Sequence, residues 1–148
     1  MQTVTKEPET NKSDFWQDHS LKYLEMAYRY DKTERIQNPD GYGKRTGQCG
    51  DTIEMFIMLR NDRILTVAFI TDGCINTNAC ANTVAWLAEK KTVNQAWSIT
   101  PEEVAEYLET LPSGHFHCAE LAVGALYLAL ANISELRQAP WKRLYGKY

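Results

Sequence analysis

The chain has 148 residues, of which 44% are hydrophobic and 24% are charged, and its formal net charge is −3 at pH 7. This size and composition are ordinary for one globular domain that buries its core without disulfide bonds. With a pI near 5.6, the chain offers no electrostatic case for binding nucleic acid or an anionic membrane, so we expect neither as a partner. Small proteins and metal ions remain as partner classes.

The N-terminal segment, MQTVTKEPETNKSD, is polar and has neither the apolar core of a secretory signal nor the arginines of a transit peptide. We expect residues 1–12 to be mobile. No apolar run approaches the roughly 20 residues needed to span a bilayer. We therefore predict a cytoplasmic protein, whose four cysteines are thiolates, metal ligands or core residues rather than disulfides.

The first predicted element is a helix that begins at a cap on Ser13 or Asp14, ends near Tyr30 and has one apolar face, formed by Leu21, Leu24 and Tyr28. Residues 31–50 contain several glycines and one proline, which predicts a long loop with at most a short strand. A loop of that length inside a compact domain is usually functional.

The next predicted element is a β-hairpin. Apolar residues alternate from Thr52 to Leu59 with the period of a strand, Asn61–Asp62 supply the turn, and residues 64–70 form the second strand. Phe56 and Met58 make the second face of the first strand apolar as well, so we expect a helix or a partner to cover that face.

Periodicity and capping residues predict four helices in the second half of the chain, at residues 76–90, 93–97, 101–110 and 117–133. The third has the strongest start, because Thr100 can cap it and Pro101 follows at the first helical position. This order of elements predicts an α+β domain over residues 13–137, with helices packed on one face of a small antiparallel sheet. Residues 138–148 form a C-terminal tail without a readable period.

Three cysteines stand beside glycines or at predicted helix starts. Cys74 follows Gly73 where the second strand ends and a helix begins, and Cys118 lies in the first turn of the last helix. The N–H groups and the macrodipole at a helix N-terminus favour thiolate, so both thiols are suited to nucleophilic attack or metal binding. Cys49 lies in the glycine-rich loop just before the hairpin.

Ligand-type side chains stand close to two of these cysteines, since His117 precedes Cys118 and Asp51 follows Cys49 by two residues. Soft thiolates with one imidazole and one carboxylate suit zinc or an iron–sulfur cluster better than calcium or magnesium. The cysteines are 25 and 44 residues apart, which matches no compact zinc finger. Scattered thiols, with His117 as an ordinary loop histidine, therefore remain the alternative.

The fourth cysteine and the other two histidines are assigned no role. Cys80 shares an apolar helix face with Val84 and Leu87, which predicts a core residue. His19 is expected on an exposed or half-exposed helix face. His115 is expected in a solvated loop, although it is close enough to Cys118 in the sequence to assist it.

Three motifs occur in a specific order: CGD before the hairpin, GC entering a helix, and HC opening the last long helix. The run CGDTIEMFIMLRNDRILTVAFITDGC and the later HCAELAVGAL resemble the iron–sulfur cluster assembly scaffold family, of the IscU and NifU N-terminal type. The resemblance covers about residues 40–133. It implies an α+β fold with a three-stranded antiparallel sheet and a metal site at one end.

The resemblance also implies roles for individual residues. Cys49, Cys74 and Cys118 would be the cysteine ligands, and His117 and Asp51 would compete for or share the fourth position. Asp51 would keep the cluster labile enough to transfer, and Cys118 would receive persulfide sulfur from a cysteine desulfurase. The implied protein is not an enzyme but a scaffold, which builds a [2Fe–2S] cluster with iron from a donor and passes it to apo iron–sulfur proteins. Zinc can fill the same ligand set in the isolated protein.

The chain departs from the family pattern beside this site. The family segment Leu-Pro-Pro-Val-Lys, which a dedicated Hsp70-type chaperone recognises, is here Leu-Pro-Ser-Gly-His at residues 111–115, which argues against recognition by that chaperone. After Cys74 the family has very small residues, whereas Ile-Asn-Thr-Asn here could alter docking of the desulfurase or access to the site. The insertion that marks the zinc-containing SufU branch is absent, which favours a cluster scaffold. Two alternatives stay open: a zinc-bound persulfide acceptor, that is a sulfurtransferase, and a regulatory binding module of the assembly machinery.

Overall fold

The computed structural model describes residues 17–48 and 50–145. Its elements are, in chain order, α1 (Leu21–Ala27), β1 (Gly41–Thr46), β2 (Thr52–Arg60), β3 (Arg63–Thr71), α2 (Ile75–Ala88), α3 (Val93–Ala96), α4 (Pro101–Leu108) and α5 (Phe116–Gln138). Short 3₁₀ helices at Ser113–His115 and Pro140–Tyr145 flank the last helix. The predicted α+β class is confirmed.

The three strands form one antiparallel sheet in the order β1-β2-β3. The β2–β3 hairpin is present as predicted, with a register irregularity only between Met58 and Leu59. Asn61 and Asp62 at its turn have φ angles of 54° and 66°. Positive φ at both central positions belongs to the tight turn whose twist matches the flanking strands, and asparagine and aspartate tolerate it better than most residues.

The three-stranded antiparallel sheet that the family resemblance implies is confirmed. The strand outside the hairpin is β1, which lies in the segment predicted to be a long loop with at most a short strand. Its sequence, GYGKRT, lacks the apolar alternation that identifies a strand. A Cβ on Gly43 would lie 2.5 Å from both the carbonyl oxygen of Ala125 and the amide nitrogen of Ala129. The glycine that weakens the strand signal is therefore what lets α5 pack directly on the β1 backbone.

The N-terminal helix differs from its prediction. Among the described residues it begins at Leu21, after Ser20, whose hydroxyl accepts a hydrogen bond from the Tyr23 amide, and the predicted cap positions 13 and 14 lie outside the described residues. The predicted apolar face is also wrong, because Leu21 is 84% exposed whereas Tyr23, Met26 and Ala27 are buried. The buried face is set by packing against α2, which supplies side-chain amides to the carbonyls at the C-terminal end of α1.

The predicted helices of the second half are all present, with ends shifted by a few residues. The last helix continues to Gln138, one turn beyond its predicted end near Ile133. The segment Ser113–Gln138 is long and apolar enough to cross a membrane by those criteria alone, but 61% of its most apolar window is buried inside the protein. It packs on β1, β2 and α2, so this helix is the core helix of the domain.

The helices lie on one face of the sheet, where Ile53, Met55 and Ile57 of β2 join the core with α2 and α5. On the other face Phe56 is also fully buried, and within residues 17–48 and 50–145 the side chains against it come from β1 and the segment before β1 rather than from a helix. The guanidinium of Arg35 lies 5.4 Å above the Phe56 ring, and the Tyr42 ring lies 5.3 Å away. Arg35 comes from the non-helical segment before β1, which pairs with β3 at Thr33.

Candidate metal centre

One end of the domain brings together the start of β2, the end of β3, the start of α2 and the start of α5. Antiparallel pairing places the start of β2 beside the end of β3, since Ile53 is opposite Thr71. The carboxylate of Asp72 accepts a hydrogen bond of 2.8 Å from the Thr52 amide, which ties these chain ends together. The described residues of the three sequence motifs therefore converge because of the strand register and the helix directions.

Cys74 is the N-cap residue of α2 and is exposed. Its backbone is extended, with φ −79° and ψ −175°, so the first turn of the helix faces its side chain. Burial raises the pKa of the Cys74 thiol, but the polar groups of Thr77 and Asn76 in the first helical turn outweigh this effect and leave the pKa below its usual range. This is the direction expected for a thiol at a helix start, and its role as a ligand or nucleophile stays a prediction.

Cys118 lies in the first turn of α5 and is only 1% exposed. Polar atoms of described residues close to its sulfur include the Thr77 hydroxyl oxygen at 3.5 Å, Nε2 of His117 at 3.7 Å and Nδ1 of His115 at 3.9 Å. The sulfur thus lies between two imidazoles and a hydroxyl. These polar neighbours suit a thiolate or a metal-bound sulfur, and they differ from the apolar surroundings of a cysteine in a hydrophobic core.

Cys74, His115 and Cys118 form a group of potential ligands. One ligand atom of each residue lies within 4.8 Å of the other two. His115 was expected to be solvated, but it is half-buried against Cys118. The 3₁₀ turn before α5, closed by a hydrogen bond of 2.8 Å from the His115 amide to the Pro112 carbonyl, directs the chain so that residues 115 and 118 meet.

Asp51 and His117, the predicted candidates for a fourth ligand, lie at the same end of the domain. Oδ2 of Asp51 accepts a hydrogen bond of 3.3 Å from the Thr77 hydroxyl, which is also 3.8 Å from the Cys74 sulfur. Thr77 is fully buried and was not identified from the sequence. Its spacing of three residues from Cys74, one helical turn along α2, was the available signal.

Cys49 lies outside the described residues, so its predicted place at the site stays a prediction. The residues on either side of it are described. Gln48 and His117 line one small cavity together, and the Gly47 amide donates a 2.8 Å hydrogen bond to the Asp51 carbonyl. The described residues on either side of Cys49 therefore lie close to the start of α5, which carries His117 and Cys118.

The remaining cysteine and histidine lie away from this group. Cys80 is fully buried in the core, where burial raises the pKa of its thiol, so the prediction of a core residue is confirmed. His19 precedes α1 instead of lying on it, and it is half-buried. Its ring stacks on Tyr23 at 4.0 Å, and its Nδ1 lies 3.0 Å from the Thr110 hydroxyl.

Comparison with known proteins identifies relatives over most of the chain. Residues 32–139 match the family described as NifU-like N terminal domain. The iron–sulfur cluster assembly scaffold protein IscU of Escherichia coli K12 is 33% identical over 128 residues, which cover 77% of this chain and 99% of that protein. The scaffold protein IscU 1 of Archaeoglobus fulgidus is 34% identical over 99 residues, which cover 66% of this chain. That match spans 65% of the archaeal protein, slightly less than two thirds of its length.

Solved structures share the same fold. A NifU-like N-terminal protein of Brucella abortus has a TM-score of 0.66 at 15% identity, covering 81% of this chain and 97% of that one. A Fervidobacterium islandicum protein assigned as the cluster assembly scaffold of the SUF system has a TM-score of 0.65 at 17% identity, covering 77% and 97%. At these identities the structures establish the fold alone. Together, the family match and the IscU relatives show that this chain belongs to the iron–sulfur cluster assembly scaffold family of the IscU and NifU N-terminal type.

Proposed function

We propose that this chain is a scaffold on which an iron–sulfur cluster is assembled from iron and desulfurase-derived sulfur and then transferred to apo-proteins. Family membership and the names of the IscU relatives support a scaffold role. The observation that carries the proposal is the meeting of Cys74 and Cys118, which are 44 residues apart, with imidazole nitrogen at one end of the domain. Thiolate and imidazole together are ligands for iron–sulfur clusters and zinc.

We propose a [2Fe–2S] cluster held by Cys49, Cys74 and Cys118, with His117 and Asp51 competing for or sharing the fourth position. Nε2 of His117 is within 3.7 Å of the Cys118 sulfur. Asp51 is within reach of the same sulfur through Thr77, whose hydroxyl approaches both side chains. A carboxylate is a harder ligand than thiolate for iron in a cluster, so its participation favours release of the cluster.

Cys118 is proposed to accept sulfur from the desulfurase. The Cys118 thiolate attacks the outer sulfur of a persulfide on the donor, the donor's S–S bond breaks, and the donor leaves as a thiolate while Cys118 becomes the persulfide. Because Cys118 is 1% exposed, this transfer requires the side chains that cover its sulfur to move apart. Cys74, exposed and with a lowered pKa, is the competing acceptor. Mass spectrometry of the persulfide-loaded protein distinguishes the two.

The partners in this proposal are a cysteine desulfurase, an iron donor and apo iron–sulfur proteins, and the compartment is the cytoplasm. A dedicated Hsp70-type chaperone is not included, because Ser113-Gly114-His115 replaces the second half of the family segment that such a chaperone recognises. Ser113 and Gly114 are exposed on the 3₁₀ turn, where a chaperone would meet the altered sequence.

The test is anaerobic reconstitution of the purified protein with ferrous iron, cysteine, a desulfurase and a thiol reductant, which reduces the persulfide sulfur to sulfide. A scaffold develops the visible sulfide-to-iron absorption of a [2Fe–2S] cluster, contains iron and sulfide in equal amounts, and activates an apo-ferredoxin added afterwards. If no such absorption develops while another IscU does so under the same conditions, the proposal is wrong.

A zinc-bound persulfide acceptor is the second candidate, because the mutual spacing of Cys74, His115 and Cys118 also suits a zinc ion. Metal analysis of protein purified anaerobically separates the two functions. Zinc that stays bound through the reconstitution, together with persulfide formation and no cluster, would support the sulfurtransferase.

A further inference from the structure

His115 has no assigned role in the proposed function, yet its ring is directed at the sulfur of Cys118. As the N-cap residue of α5, it makes no capping hydrogen bond with its side chain. Its Nδ1 instead lies 3.9 Å from the Cys118 sulfur, and its ring centroid lies 5.7 Å from that of His117. The imidazole is half-buried, so it faces the ligand group rather than open solvent.

The distances within the ligand group fit a tetrahedral ion. With Zn–S bonds of about 2.3 Å and Zn–N bonds of about 2.0 Å, neighbouring ligand atoms are about 3.6 Å apart for nitrogen and sulfur and about 3.8 Å for two sulfurs. The nitrogen-to-sulfur distance from His115 to Cys118 is 3.9 Å, and no pair among Cys74, His115 and Cys118 is more than 4.8 Å apart. Movements of about 1 Å or less would therefore close these three atoms around an ion.

The side chain at this position has the chemistry of a metal ligand. His115 lies three residues before the cysteine that opens the helix. A neutral imidazole offers a nitrogen lone pair to a metal near pH 7, whereas a lysine ammonium has three N–H donors and no lone pair. The substitution His115→Lys would therefore remove a metal ligand and leave a positive charge in its place.

We propose that His115 is a metal ligand in this protein, its Nδ1 binding the incoming ion together with the sulfurs of Cys74 and Cys118. This inference rests on the proposed function only in taking the bound ion to be one that enters cluster assembly. It adds a nitrogen ligand that the resemblance does not imply. His117, whose Nε2 is 3.7 Å from the same sulfur, can replace His115 when a second iron and the sulfides enter. The ion is thus held by a half-buried histidine before the cluster is complete.

Zinc alone is the probe for the test. Wild-type protein, His115→Ala, His115→Lys and the matched control His117→Ala are titrated with Zn²⁺ against a chromogenic chelator. In parallel, ¹⁵N chemical shifts of the histidine ring nitrogens are recorded with and without zinc. Circular dichroism of the metal-free variants checks that each remains folded. If His115→Ala does not fold, the His115→Lys variant and the NMR spectra of the wild type still test the inference.

In the wild type, zinc should shift the Nδ1 resonance of His115 to the range of a metal-bound nitrogen. Both His115 variants should bind zinc at least about tenfold more weakly. Loss of a residue that only hydrogen-bonds to a metal ligand already weakens binding by about that factor, and His115 is proposed to bind the metal directly. His117→Ala should lose less affinity than His115→Ala. Unchanged zinc affinity in both His115 variants, or a His115 ring that zinc does not shift, overturns the inference.

The outcomes separate this inference from the proposed function. If the wild type assembles a cluster but His115 does not respond to zinc, only the inference is wrong. If zinc binds through His115 and no cluster forms under reconstitution, the inference stands and the scaffold proposal is wrong.

Discussion

The first turn of α2 and its middle place two cysteines in opposite environments. Cys74 occupies the exposed N-cap position of the helix, where the polar groups of Thr77 and Asn76 lower the pKa of its thiol. Cys80, six positions further along, is fully buried, and burial raises the pKa of its thiol. The same side chain on the same helix is therefore a proposed ligand at one position and a core residue at the other.

The difference arises from the backbone and the solvent. The N–H groups of the first helical turn have no carbonyl acceptors within the helix, so the Cys74 sulfur can accept hydrogen bonds that stabilise its thiolate. In the middle of α2 those N–H groups are occupied by the helix itself, and the surroundings of Cys80 are apolar. A cysteine's position relative to a helix end thus predicts its chemistry better than its neighbours in sequence do.

The largest expected effect concerns cluster binding by these two cysteines. Cys74→Ala removes a proposed sulfur ligand, so the reconstituted protein should lose nearly all of its visible cluster absorption. Cys80→Ala should keep the absorption and only lower the free energy of unfolding, by about 1 kcal/mol, because it leaves a small cavity. A cluster that survives Cys74→Ala but is lost in Cys80→Ala would reverse the assignment.

The reactivity of the two thiols should differ by orders of magnitude. Because the pKa of Cys74 is lowered, its thiolate persists to lower pH, and its alkylation by iodoacetamide should reach half its maximal rate below the pH expected for free cysteine. Cys80 can react only after the core opens, which should slow it at least about a thousandfold at neutral pH. Peptide mass spectrometry over a pH series measures both rates. Comparable rates for the two cysteines in the folded protein would show that burial does not protect Cys80.

Core packing and metal binding should respond separately to mutation. Leu126 of α5 is fully buried, so Leu126→Ala should lower the free energy of unfolding by about 2–5 kcal/mol. The matched variant Leu128→Ala, at a 44% exposed position of the same helix, should cost no more than about 1 kcal/mol. Chemical denaturation measures both, and zinc titration in native buffer should give the same stoichiometry for each. A changed stoichiometry in Leu126→Ala would mean that the site depends on the packing of the middle of α5.

The smallest expected effect is at Thr77, which joins the site to α2. Thr77→Val keeps the side-chain shape but removes the hydroxyl that donates to Asp51, so the free energy of unfolding should fall by about 1 kcal/mol. Thr83→Val on the same helix loses a comparable buried hydrogen bond, to the Ala79 carbonyl. Only Thr77→Val should also change the lifetime of the reconstituted cluster, followed by its absorption after a chelator is added. Equal lifetimes in the two variants would remove Thr77 from the site.

Local patterns predicted most elements of the fold but not how they pack. The hairpin and α4 follow from alternation, the Asn61–Asp62 turn and the Thr100 cap, each of which acts over a few residues. Local patterns did not locate β1, which only the family resemblance implied as a third strand, because glycines at its helix-facing positions remove the apolar signal. Their purpose is visible only when α5 lies against them. The buried face of α1 was also missed, since the partner that selects that face, α2, is about 50 residues away in the sequence.

The candidate site divides in the same way. Cys74 and Cys118 were identifiable because each stands at a helix start, a local feature. Thr77 was not, because a threonine in a helix looks ordinary until α5 brings a sulfur within 4 Å of it. His115 was noted as close to Cys118 in the sequence but was expected in a solvated loop, and only the structure directs its ring at the sulfur. Cys49 keeps the role that the CGD motif implies for it, as a prediction.

By itself, the sequence determined most of the strands and helices, where two thiols stand at helix starts, and, through the order of its motifs, the family to which the chain belongs. Tertiary structure alone decided that these thiols meet, which face of each helix is buried, and which histidine faces the ligand group. The physical reason is range: hydrogen-bonded turns and caps act over three or four residues, whereas the distances between ligands depend on strand register and close helix packing across the whole chain.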